Sequence, residues 1–143
     1  MITANLNTME LFENQGKDTP AQHCRSNFPL LGAMGTENSC AVYFELDPGN
    51  HLGQHTDSAE EVLLILAGTV EVSVGEEKGQ LSQGELAVVP TMVPHNLRNV
   101  GQETAKVLGF FGSPNIVATF DEVWLPSNSR IVDTAAMAEP VAP

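Results

Sequence analysis

From Gln22 onward the chain is a succession of short apolar runs, each cut by turn residues, and this punctuation constrains its fold more than any other feature. Leu30–Leu31 stops at Gly32, Cys40–Leu46 at Asp47–Pro48–Gly49, Val62–Ala67 at Gly68 and Thr69–Val74 at Gly75. Glu85–Val89 then runs into Pro90, and Ala105–Phe111 into Gly112. Runs of this length, rich in Val, Ile, Leu and Phe, suit a pleated surface, and the Gly, Pro and Asp residues between them turn the chain. Several in succession predict a sandwich or barrel. No apolar repeat of helical period occurs between residues 40 and 112, which disfavours folds with crossover helices. The expected fold class is therefore all-β. With 143 residues, 42% of them hydrophobic, one domain can bury most of the surface its unfolded chain would expose.

The flanks are less regular. Residues 1–21 read as a polar N-terminal extension in which only Met9, Leu11 and Phe12 hint at a short docking helix or strand. Residues 22–126 form the barrel domain, within which the stretch after Gly112 supplies a closing strand or short helix packed on the outside. Its apolar content is Phe120, Val123, Trp124 and Leu125. Residues 127–143, rich in Ala and Pro, read as a flexible tail or a cover for a neighbouring subunit.

Charge narrows the partners. Six Lys plus Arg against 18 Asp plus Glu give a formal charge of −12, and no basic cluster is present to neutralise phosphates. Nucleic acid and anionic membranes are not expected partners. The N-terminus lacks a basic start followed by an apolar core, and no apolar run approaches the roughly 20 residues of a membrane span, so a cytoplasmic protein is expected. Cys24 and Cys40 stand at no C-x-x-C spacing and read as reduced, buried thiols.

Within the punctuated region two segments carry chemistry: Gly49 to Gly68 (GNHLGQHTDSAEEVLLILAG) and Gly84 to Asn99 (GELAVVPTMVPHNLRN). Alternation along a strand lets His55 and Asp57 face inward together. A short break at Ser58–Glu60 would let the next strand return beside the first, with Glu61, Leu63 and Ile65 inward and the last two as an apolar wall. His95 would come from a separate hairpin fixed by Pro90 and Pro94. Two imidazoles with one or two carboxylates suit a divalent transition metal. Each residue also has an ordinary alternative: a surface histidine, a solvent-facing Glu61, an Asp57 that makes a turn. His51 is a substitute ligand or an exposed loop residue, Glu60 an outward alternative to Glu61, and Tyr43 a proton donor or a core residue with its hydroxyl at the surface. His23 has no motif support.

Taken jointly, the spacing resembles the two motifs of the cupin superfamily. Gly49, His55, Glu61 and Gly68 fall on the first motif in register, with Asp57 where a second His is usual. Gly84, Pro90, His95 and Asn99 fall on the second, with Met92 in place of its internal Gly. The resemblance implies a double-stranded β-helix, or jelly-roll barrel, a homodimer, and one bound divalent metal such as Fe, Mn, Ni or Zn. Its ligands would be His55, Glu61 and His95 with Asp57 as the fourth, and Glu61 is also the candidate catalytic residue. Asp57 as a ligand makes a formally neutral set; without it, two His and one carboxylate leave open positions of the kind non-haem iron oxygenases use. Met92 obliges the turn before His95 either to change type or to accept strain. The expected function is a metal-dependent, dioxygenase-type oxidoreductase acting on a small oxygenated or aromatic metabolite. A metal-dependent isomerase or lyase, a non-catalytic binding or sensing module, and a barrel that has lost its metal are the alternatives.

Overall fold

The computed structural model describes residues 1–137 and is almost entirely β. Its twelve strands are β1 (Phe12–Gly16), β2 (His23–Leu30), β3 (Cys40–Leu46), β4 (His55–Asp57), β5 (Glu61–Ala67), β6 (Thr69–Val74), β7 (Glu77–Ser82), β8 (Leu86–Val89), β9 (His95–Asn99), β10 (Ala105–Phe111), β11 (Val117–Leu125) and β12 (Ser129–Asp133). Two single turns of 3-10 helix, Gly32–Met34 and Thr134–Ala136, are the only helical elements among the described residues. None is long and apolar enough to cross a membrane.

Every strand pairing is antiparallel, in the order β7-β6-β9-β4-β11-β1-β2-β3-β10-β5-β8, with β12 added to β11. The sheet curls into a nearly closed jelly-roll barrel around a core that includes Phe44, Leu46, Leu63, Ile65, Leu97 and Val107. Strict alternation fills it. In β5, Glu61, Leu63 and Ile65 are buried while Val62 and Leu64 are only half-buried on the outer face. The partner β10 matches this phase, setting Glu61 against Phe111, Leu63 against Gly109 and Ile65 against Val107.

Three features depart from the sequence expectations. The strand β5 does not return beside β4, because both edges of β4 are already hydrogen-bonded, to β9 and to β11; β5 crosses to the other side of the barrel and pairs with β10 and β8. The segment after Gly112 forms β11, which is built into the barrel wall between β4 and β1 and buries Phe120 and Trp124 inside. The sheet also takes in both flanks, β1 from the N-terminal stretch and β12 from the C-terminal one; residues 138–143 of the expected tail lie outside the described residues. The sequence of β7, EKGQLS, offers no apolar alternation, and its pairing with β6 sets it on the exposed edge.

The turn before His95 takes the strained alternative. Met92 sits at φ 63°, in the left-handed region that a Gly adopts freely, with its side chain exposed. Two hydrogen bonds hold it there: its own N–H donates to the Asp57 carbonyl at 2.9 Å, and the Val93 N–H donates to the Pro90 carbonyl at 3.2 Å. A left-handed non-Gly residue costs about 1–2 kcal/mol, and the entropy a Gly loses returns about 0.5–1 of that. Met92→Gly is therefore expected to stabilise the fold by about 0.5–1 kcal/mol, read as a small rise in melting temperature.

Candidate metal centre

The two histidines meet across the β4–β9 pair, where His55 stands directly opposite His95. Their ring centroids lie 4.1 Å apart, and on its other face His55 stacks on Phe120, its cross-strand neighbour on β11, at 4.4 Å and 15°. Asp57, two residues along β4, faces the same side by strand alternation. Its Oδ2 lies 3.0 Å from His95 Nε2 and 3.7 Å from His55 Nε2. One ligand atom from each of His55, Asp57 and His95 lies within 4.8 Å of the others, and all three residues are buried. Glu61 arrives from the other side of the barrel, with Oε1 3.5 Å from His95 Nε2. The structure thus brings together all four residues that the two motifs suggested. Asp57, which the motif leaves open, is in the tight trio, and Glu61 stands at its side.

Both imidazoles are oriented for metal binding. His55 Nδ1 is 2.8 Å from the Gly53 carbonyl and His95 Nδ1 is 2.9 Å from the Val93 carbonyl. Because a carbonyl can only accept, each Nδ1 carries a proton, which turns each Nε2 toward the cluster as the atom that would bind a metal. Electrostatics leave the cluster incomplete. Burial, with His95 adding to it, pushes His55 down to about 4, so its Nε2 is free of a proton. Burial pushes Glu61 up to about 7. For His95 burial alone would lower the value, but the adjoining Asp57 and Glu61 carboxylates overcome it and hold the ring up to about 10. Asp57 Oδ2 and His95 Nε2 are close yet misaligned, so neither has a hydrogen-bond partner. Two orphaned, inward-aimed ligand atoms beside two carboxylates fit a divalent cation, whose charge would balance the carboxylates as a shared proton does only partly.

Supporting residues emerge that the motifs did not mark. Gly109 lies mid-strand in β10, where a Cβ would collide with Glu61 Oε2; its missing side chain is the space the carboxylate occupies. An isolated Gly inside the run AKVLGFF was the available signal, since such a residue in a strand marks close approach. Asn96 links the two motifs: its Oδ1 accepts the Gly53 N–H at 2.9 Å, and the Gly53 carbonyl in turn receives His55 Nδ1–H. Asn96→Ala is therefore expected to weaken metal binding by about tenfold, at the lower end for outer partners of metal ligands, with the fold retained. Titration of a chelated sample with Mn(II) or Zn(II) checks it.

The remaining candidates lie elsewhere. Asn99 is a brace, its amide donating to the Leu46 and Glu103 carbonyls at 2.8 Å each. Tyr43 is buried away from the cavity and donates to Glu45 at 2.6 Å. Glu60 is exposed, and His51 is half-buried outside the cluster. His23 Nε2 meets Glu13 at 2.6 Å. Leu63 and Ile65 face inward as expected but pack in the core without lining the cavity.

That cavity, about 500 Å³, opens from the cluster toward the first and last strands. His55, Asp57 and Glu61 form one wall; Phe44, Phe111, Phe120 and Trp124 form much of the rest, and Phe12, Ile131 and Met137 stand at the exposed mouth. Fold and site together define a small β-barrel with a buried candidate metal site of His55, Asp57 and His95, Glu61 beside it, at the side of an apolar chamber. Residues 42–111 match the family model of the cupin domain. It is similar to an uncharacterised protein of Streptomyces coelicolor, 24% identical over 94 residues that make up 66% of this chain and 89% of that one. Among solved structures, a candidate sugar phosphate isomerase from Acidithiobacillus ferrooxidans superposes with a TM-score of 0.65 at 17% identity, covering 96% of this chain and 94% of that one. Bacillus subtilis oxalate decarboxylase, described with Mn(II) centres, superposes with a TM-score of 0.69 at 15% identity over 81% of this chain. The match spans 31% of the decarboxylase chain, about a third of its length.

Proposed function

We propose that this cupin is a metal-dependent, dioxygenase-type oxidoreductase that acts on a small oxygenated or aromatic metabolite. The observation that carries the reading is the pair of orphaned ligand atoms, Asp57 Oδ2 and His95 Nε2, beside a chamber walled by aromatic rings. His55, Asp57 and His95 would hold Fe, Mn, Ni or Zn, with Glu61 in reach. Such an ion supplies Lewis acidity toward a chelating oxygen and, as iron, a place to activate O2. The chain's own residues do the rest. The Gly53 and Val93 carbonyls fix the imidazoles, Phe120 prevents His55 from rotating, and the apolar walls exclude water and so strengthen every charge at the cradle. Glu61, outside the tight trio but open to the cavity, is placed to accept a proton from a bound hydroxyl. The Mn(II) centres of the similar decarboxylase support a divalent ion in this fold.

Elemental analysis of protein expressed in metal-replete medium, joined to O2 uptake across catechols, β-diketones and flavonols, tests the proposal. Stoichiometric metal with turnover lost in Glu61→Gln is the expected result; absence of metal sinks it. Saturable binding without metal-dependent turnover would favour the sensing module, a reading kept open because, among the described residues, Asp133 is the only ionisable lining residue besides Cys24 and the three at the cradle.

The homodimer and the cytoplasmic setting belong to the same proposal. Val88, Val62 and Phe110 form one row across the outer face of β8, β5 and β10, and Leu86, Leu64 and Leu108 the next; Leu86, Val88 and Phe110 are well exposed. These rows carry no charge, so a second copy of this acidic chain can meet them without repulsion. Light scattering on the purified chain reads the dimer directly, and a monomer at micromolar concentration removes it. Cys24 and Cys40 are free and buried, as a reducing compartment requires.

A further inference from the structure

Resting on the metal cradle proposed above, the chamber beside it carries its own selection rule. None of the six Lys and Arg residues lines the cavity. Arg25 is committed to Asp47, with two bonds of 2.9 Å, and Arg98 and Lys78 face Glu71. The charged side chains that do line it are acids: Asp57 and Glu61 at the cradle and Asp133 toward the mouth. The other polar lining groups are neutral, among them Asn14, Ser26, Asn27 and Ser127. A metal balanced by two carboxylates has no formal charge left to attract an anion, and the aromatic walls cannot solvate one.

We propose that the chamber selects uncharged, aromatic-bodied ligands that present a hydroxyl or carbonyl oxygen to the cradle, and that it rejects carboxylates and phosphates of the same size. A flat ring lies between Phe44, Phe111, Phe120 and Trp124, where stacking and edge contacts favour it over a saturated chain of equal area. A volume of about 500 Å³ accepts a two-ring or three-ring molecule. The same arrangement turns away the small anionic substrates named for the structural neighbours, an oxalate or a sugar phosphate.

The chain provides its own reporter, since Trp124 is its only tryptophan and lines the chamber. Quenching of its fluorescence by 2-naphthol and by 2-naphthoate compares the same rings with and without a charge. The two are titrated into the protein as isolated and again after chelation. Saturable quenching by naphthol, with naphthoate weaker by at least about tenfold, is the expected result, since a tenfold ratio needs only about 1.4 kcal/mol of desolvation and repulsion. Ser26→Phe, which intrudes on the chamber without adding a second tryptophan, weakens the naphthol signal. Ile131→Arg, at an exposed position on the mouth, narrows the gap by restoring naphthoate binding. Equal or tighter binding of naphthoate, or no saturable naphthol quenching in a protein with intact β circular dichroism, overturns the inference. Metal content is measured on the same samples. Discrimination that persists without stoichiometric metal leaves the charge rule standing and removes the metal-dependent chemistry instead.

Discussion

Gly109→Ala is expected to destabilise the fold and to weaken metal binding together. The new Cβ would overlap Glu61 Oε2 and come within 3.1 Å of Val42 Cγ1, so either the carboxylate leaves its niche or β10 shifts away from β5. Overpacking of this kind costs about 1–3 kcal/mol, and a buried carboxylate displaced from its charge partner adds to it. A fall in melting temperature of several degrees is expected, together with a loss of metal affinity of about 100-fold or more, beyond what outer partners alone contribute. The mechanism makes a further demand. In a Glu61→Ala background the niche is empty, so adding Gly109→Ala should cost much less than it does in the native chain. A double-mutant cycle by thermal denaturation measures that coupling. Additive effects would show that the glycine serves the strand rather than the carboxylate.

His95→Ala is the second large effect, and bound metal widens it. His95 is wholly buried and stands against both carboxylates, 3.0 Å from Asp57 and 3.5 Å from Glu61. Removing it leaves two buried acids facing each other with no cation between them. Breaking a buried charge arrangement by deleting one partner costs about 3–5 kcal/mol, a large share of the stability of an ordinary domain. In the metal-free state the variant is therefore expected to melt well below the native chain at neutral pH. Lowering the pH to 5 should recover part of the loss, because burial already raises Glu61 toward the neutral form and a protonated acid no longer needs a counter-charge. The sign follows: with no cation nearby the folded pKa of Glu61 lies above its unfolded value, so stability rises as the acid takes up its proton. Saturating Mn(II) or Zn(II) should rescue the native chain's stability far more than the variant's. Differential scanning calorimetry with and without chelator separates these outcomes.

Much of this was legible from residue order alone. Short apolar runs cut by Gly, Pro and Asp marked the strand class, and the alternation that a strand with one buried side must keep set the inward face of Glu61. The placement of His55 and His95 could be read from motif register, since the turns that aim them use Pro and Gly with defined backbone demands. The crossing of β5 away from β4 was not legible, because a short break after β4 is compatible with either a hairpin or a jelly-roll crossover. Only the competing partners, β9 and β11, decide it. Two strands were faint for a different reason: β1, reading FENQG and hinted at only by Phe12 and its neighbours, and β7, reading EKGQLS, are held mainly by backbone hydrogen bonds and carry almost no hydrophobic signal. Gly109 and Asn96 were visible as residues but not as parts of the site, since their roles depend on neighbours distant in sequence.

The lining of the chamber has a consequence for how such a protein diversifies. All four residues of the cradle lie within the cupin-matched span 42–111, whereas Phe12, Asn14, Phe120, Trp124 and Ile131, which shape the chamber, lie on the strands that flank it. The candidate metal ligands are thereby confined to one stretch, while the chamber lining is shared between that stretch, through Phe44 and Phe111, and its flanks. Substitutions near either terminus can refit the pocket to a new molecule without disturbing the ion, so two descendants of one ancestor can keep the same cradle and part ways in what they recognise.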